Sequence, residues 1–196
     1  FSAHMLQHLL LTLVVPPLLI LGTPGWLLRP VLSFGPVLRV GRVVTFPLVA
    51  FGMFNAVFAL WHLPVFYEAT LEIHAVHIVE HLTMMSTAVI MWWPILSPLP
   101  ELPRLAPLPQ MVYLFLLPVA QLIIFGPITF ASGVIYPFYG AAPRVWDLSA
   151  LADQQIGGVI MKVGSMVVFF TVISIVFYRW FSRGEDEVRS NSDSPE

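Results

Sequence analysis

Residues 71–93 read LEIHAVHIVEHLTMMSTAVIMWW. Glu72 and Glu80 are the charged residues in that run, and at about 1.5 Å of rise per residue a helix through it covers about 34 Å. Roughly 20 apolar residues cross a hydrocarbon core of about 30 Å. The run therefore predicts a transmembrane helix with His74, His77 and His81 on its opening turns. Stretches near residues 3–22, 43–62, 110–131 and 155–181 meet the same length test. The expected fold is all-α: a polytopic transmembrane bundle of about five helices, spanning residues 1–181.

Composition agrees. Of 196 residues 58% are hydrophobic and 10% charged, against about 25% charged in an average soluble domain. There is no cysteine, which excludes disulfides and thiolate ligands and leaves imidazole, thioether and carboxylate as metal donors. The chain begins at Phe1, which reads as a fragment or processed form and leaves room for upstream helices. Pro16, Pro17, Pro47, Pro118 and Pro127 fall inside expected spans and should kink them. Six prolines between Pro94 and Pro109 predict a stiff, largely extended connection. Residues 182–196 are polar and of mixed charge, and read as a disordered tail.

Basic residues set the expected orientation. Arg29, Arg39 and Arg42 follow the first span, Arg104 the third, and Arg179, Arg183 and Arg189 the fifth; Arg144 stands on the other side, with Glu68, Asp147 and Asp153. By the positive-inside rule the C-terminus is expected in the cytoplasm and the start of the first span outside. All six histidines then fall in the extracytoplasmic half. His4 and His8 open the first span, His62 closes the second, and His74, His77 and His81 lie on the first turns of the third. His4 and His8 are four apart and the others three and four apart, so each set projects from one helical face. His81 sits about 15 Å along its helix, at a depth where polar groups need partners.

Paired imidazoles at helical spacing suit a transition metal held between helices. A mixture with Met5, Met84, Met85, Met161 and Met166 points toward copper, although methionine in an apolar helix is ordinarily packing material. His77 to His81 also matches H-x-x-E-H, in which two histidines bind zinc and the glutamate is the general base. That zinc site would need a further ligand, such as Asp153, and an open water position. A rival role for Glu80 is an ion pair with Lys162, since an unpaired charge within the membrane costs a few kcal/mol. His62, before Leu63 and Pro64, can equally be an ordinary helix-end residue. Trp61, Trp92 and Trp93 fit an interfacial aromatic belt, and Gly157 and Gly158 suggest close helix packing. No glycine-rich phosphate loop, Ser-His-Asp signature or basic nucleic-acid patch is present.

The runs His4-Met5-Leu6-Gln7-His8, Trp61-His62-Leu63-Pro64, His74 through His81, Trp92-Trp93-Pro94, Tyr136-Pro137-Phe138-Tyr139 and Asp153-Gln154-Gln155-Ile156-Gly157-Gly158 through Met161 together resemble the caa-type cytochrome c oxidase assembly factor family, called CtaG in Bacillus. The resemblance covers Phe1 to about Trp180. It implies a multi-pass protein of the bacterial plasma membrane that helps to build the oxidase, with copper delivery as the suspected role and oxidase subunits and the lipid bilayer as partners. Lys162 stands where an aromatic residue such as tryptophan is expected, a departure from the pattern.

The reading is thus a membrane assembly factor that holds copper in an extracytoplasmic histidine cluster and passes it to cytochrome c oxidase. His8, His77 and His81 are the leading ligands, then His4, His74 and His62, with Asp153 and Met161 as outer candidates. Because imidazole binds metal only when neutral, affinity should fall as pH drops through roughly 6.5. The rivals are an intramembrane zinc hydrolase using His77, His81 and Glu80, a haem-handling protein with two axial histidines, and a metal-free scaffold. A homo-oligomer is compatible with all of them; nucleic acid is not an expected partner.

Overall fold

The computed structural model describes residues 1–143 and 147–192, with side chains through Gly184. Among the described residues the chain is helical, without strands. We number the helices α1 (Ser2–Gly22), α2 (Gly25–Leu32), α3 (Gly35–Val44), α4 (Pro47–His62), α5 (Pro64–Glu72), α6 (His74–Leu96), α7 (Pro107–Thr129), α8 (Pro137–Ala141) and α9 (Ala150–Ser192). The all-α polytopic bundle expected from the sequence is the fold observed.

Helices α1, α6, α7 and α9 are each long and apolar enough to cross a membrane. A fifth crossing exists if α3 and α4 count as one broken span, bent by 73°. The second stretch therefore differs from the continuous helix expected near 43–62: Thr45 and Phe46 leave the helix and Pro47 opens a new one. Proline suits the first position of a helix, where its missing N–H forms no bond in any case. Pro64, Pro107 and Pro137 open α5, α7 and α8 in the same way. Helix α9 carries its backbone on to Ser192; residues 193–196 of the expected tail lie outside the described residues. Arg144, used in the orientation argument, lies outside the described residues.

The interior proline of α1, Pro16, is accommodated by a side chain from a neighbouring helix, as the bilayer demands. Pro16 removes the N–H that would meet the carbonyl of Thr12, five residues of α1 take a π turn, Leu10–Val14, and Trp92 Nε1 donates to the Thr12 carbonyl at 3.1 Å. Trp92 is fully buried and Trp61 nearly so, donating to Thr83 Oγ1 at 2.9 Å. These two indoles correct the aromatic-belt expectation: their N–H groups satisfy polar atoms inside the bundle rather than headgroups. The connection of residues 97–106 is shorter than the proline count suggested, because α6 runs through Pro94 and α7 starts at Pro107. It is pinned by Leu105 N to the Pro94 carbonyl at 2.8 Å and by Gln110 Nε2 to the Leu105 carbonyl at 2.8 Å.

The bundle packs through glycine. A Cβ on Gly157 would collide with Phe1, one on Gly164 with Leu9, and one on Gly158 with Thr129, so one helix presses on α1 and α7 together. Its neighbours bury Met5, Phe54, Phe58, Met84, Leu117, Phe125 and Phe169 in a common core, while Leu18, Leu48 and Ile123 point outward as a lipid-facing surface would. Arg29 on α2 and Glu101 in the α6–α7 connection approach to 3.4 Å, which puts those two loops at one end. His4, His8, His62, His77 and His81 occupy the other end.

Candidate functional site

Two helix N-termini and one C-terminus converge at the histidine end. On α1 the i and i+4 residues His4 and His8 stand with ring centroids 4.2 Å apart. On α6 the i and i+4 residues His77 and His81 stand 4.3 Å apart. The two pairs face each other: His8 Nε2 lies 3.3 Å from His81 Nε2, and His4 is 5.5 Å from His77 and 6.0 Å from His81 between ring centroids. Glu80 joins them from the buried side of α6, its Oε1 3.7 Å from His8 Nε2. One ligating atom from each of His4, His8, Glu80 and His81 lies within 4.8 Å of all the others.

This group has unsatisfied chemistry. His4 Nε2, His8 Nδ1 and both Glu80 oxygens are buried without hydrogen-bond partners, and Glu80 is wholly shielded from solvent. Buried polar groups are normally hydrogen-bonded, and an exception asks for an explanation such as an ion or ordered water. Two nitrogens bound at about 2 Å to one tetrahedral ion stand about 3.3 Å apart, which is the spacing of His8 and His81. Three imidazoles and a carboxylate are a donor set that copper, zinc or iron accepts. The residues present fit a transition metal.

The model of the cytochrome c oxidase caa3 assembly factor family matches residues 1–183. The chain belongs to that family. As a family member it also resembles two uncharacterised proteins, one from Mycobacterium bovis and one from Mycobacterium tuberculosis, each 27% identical over 213 residues that take in 98% of this chain and 32% of the relative. The chain thus spans about a third of the length of those relatives, 32%. No solved structure matches. A multi-pass membrane protein belonging to an oxidase assembly family is what the sequence led one to expect.

For this assembly-factor family member, individual site residues fall into place unevenly. Whether the two histidine faces converge was not readable from the sequence; in the structure His8 and His81 lie side by side, and His4 joins them. His77 stands beside the group without being one of its four members, and His74 is exposed. His62 is buried on α4, its ring 6.4 Å from that of His8. Its Nδ1 donates to the Phe58 carbonyl at 2.7 Å, leaving Nε2 unpartnered. Asp153 is spent elsewhere, accepting from the backbone nitrogens of Phe1 and Ser2 at 2.6 and 3.1 Å. Met161 packs in the apolar core.

The Glu80–Lys162 ion pair is not formed. Lys162 Nζ donates to the Pro118 carbonyl at 2.9 Å, while Glu80 turns to His8. Equal depth along two helices did not make them neighbours, because depth says nothing of the direction in which each side chain leaves its helix. Replacing Lys162 with methionine is therefore expected to leave metal affinity at the histidine end unchanged, as measured by chelator competition; a large loss would mean that the ammonium does support Glu80.

Sequence reasoning missed Tyr67. On α5, a nine-residue helix read only as connection, this fully buried side chain places its hydroxyl 2.8 Å from His4 Nδ1 and 3.1 Å from the hydroxyl of Tyr139. Its ring packs on Phe1 at 5.7 Å and on Tyr136 at 4.4 Å between centroids, so aromatic side chains from three segments adjoin the cluster. The spacing of Tyr136 and Tyr139 had been noted only as part of a motif, and no local signal ties Tyr67 to His4, 63 residues away.

Proposed function

We propose that this chain carries copper for cytochrome c oxidase assembly, holding it among His4, His8, His81 and Glu80 at the extracytoplasmic side of the bacterial plasma membrane. The observation that supports this reading best is the approach of His8 Nε2 and His81 Nε2 to 3.3 Å, together with the partnerless nitrogen of His4 and oxygens of Glu80 beside them. Family membership supports cytochrome c oxidase as the client. Imidazole nitrogens suit copper, and membership of an oxidase assembly family is what favours it over zinc or iron. Copper is cargo here, so it must leave as well as bind: donors drawn from two helices can part, whereas a closed cage on one rigid element cannot. Seven basic residues, Arg29, Arg39, Arg42, Arg104, Arg179, Arg183 and Arg189, favour the cytoplasm for the opposite end.

The test is complementation. In cells that lack the full-length protein, the native gene should restore the copper content and activity of the oxidase, and a gene with His8 and His81 both replaced by alanine should restore neither. Full restoration by that double variant, at equal protein level, would leave the scaffold reading in its place. Purified protein holding one equivalent of zinc and taking up no copper would instead favour the hydrolase.

A further inference from the structure

His4 is a ligand with two distinct nitrogens, and its surroundings decide which one faces a metal. Nδ1 lies 2.8 Å from the Tyr67 hydroxyl; Nε2 is buried and has no hydrogen-bond partner. A proton on Nε2 would be a donor with nothing to receive it. A proton on Nδ1 is donated to Tyr67 Oη instead, which leaves a lone pair on Nε2 of a ring that is grouped with His8, Glu80 and His81. The hydroxyl of Tyr67 then passes its own hydrogen to the Tyr139 hydroxyl at 3.1 Å.

We infer that Tyr67 is a positioning residue, fixing His4 in the Nδ1–H tautomer so that His4 meets a metal through Nε2. Histidine ligands commonly donate their second N–H to an outer partner that sets tautomer and ring orientation, and loss of such a partner typically costs about 10–100-fold in metal affinity. Here the partner comes from α5, a helix that contributes no member of the cluster. The role as a metal-site support rests on the copper reading above; the tautomer does not.

The experiment uses the full chain in lipid nanodiscs with 15N-labelled histidine. In metal-free native protein the His4 signals, assigned by their loss in His4→Ala, should show Nδ1 protonated and Nε2 bare; in Tyr67→Phe, which keeps the ring and its packing, that preference should be lost. Copper titration against a chromophoric chelator should then show Tyr67→Phe weaker by about 10–100-fold, with no further loss when the same change is made in His4→Ala. His4 protonated on Nε2 in the native protein overturns the inference. So does a Tyr67→Phe variant with native tautomer and native affinity, or one whose loss is as large without His4 as with it. Native protein that takes up no copper overturns the copper reading, and the nitrogen spectra still decide the tautomer.

Discussion

Alanine in place of His8 is expected to reduce copper affinity by more than the roughly 100-fold upper figure for losing an outer partner, measured by competition with a chelator of known affinity. The reason is position. His8 faces His81 across the helix interface at 3.3 Å and Glu80 at 3.7 Å, so its removal takes away one of the two α1 donors and the one seen nearest to α6. It also takes away the imidazole that approaches the buried Glu80 carboxylate at 3.7 Å, and a buried carboxylate that loses such a neighbour is left more costly than a lost contact alone. Alanine at His74, which is exposed and outside the group, should leave affinity at its native value. Equal effects at His8 and His74 would mean that copper binds somewhere else on the chain.

Gly158 should be the most sensitive position in the bundle. A Cβ there meets the hydroxyl of Thr129 and, at 3.1 and 3.2 Å, the backbone nitrogen and Cα of that residue. Backbone cannot yield as a flexible side chain does, so α9 must move away from α7. Overpacking of this kind costs about 1–3 kcal/mol for alanine, and valine at the same place should prevent the tight α7–α9 contact from forming. Gly126 is the control: nothing lies within 4 Å of a Cβ built there, and alanine should be neutral or gain up to about 1 kcal/mol through helix propensity. Thermal unfolding in detergent, followed by helix content, compares the two. A Gly158→Ala protein as stable as Gly126→Ala would show that the two helices are not packed as described.

The spans were legible because crossing a bilayer requires a long apolar run, and 71–93 or 155–181 cannot be much else. The gathering of histidines at one end was legible for a related reason: once the spans are counted, alternation fixes which end each histidine occupies. What stayed hidden depends on rotation about helix axes and on segments outside the spans. Lys162 and Glu80 lie at matching depth but leave their helices toward different neighbours. Trp92 sits near a helix end, yet the carbonyl freed by Pro16, 76 residues earlier in the chain, draws its indole inward. Tyr67 was overlooked because α5 is too short to span and its one telling contact is with another helix.

The most direct measurement on the central claim is electron paramagnetic resonance, with nitrogen couplings resolved, of the native chain loaded with one equivalent of Cu(II) in nanodiscs. Imidazoles from α1 and α6 bound to the same ion should give couplings from more than one ring, and His8→Ala and His81→Ala should each remove part of that pattern. A copper signal without imidazole couplings, or one that neither substitution alters, would contradict a metal centre shared between the two helices.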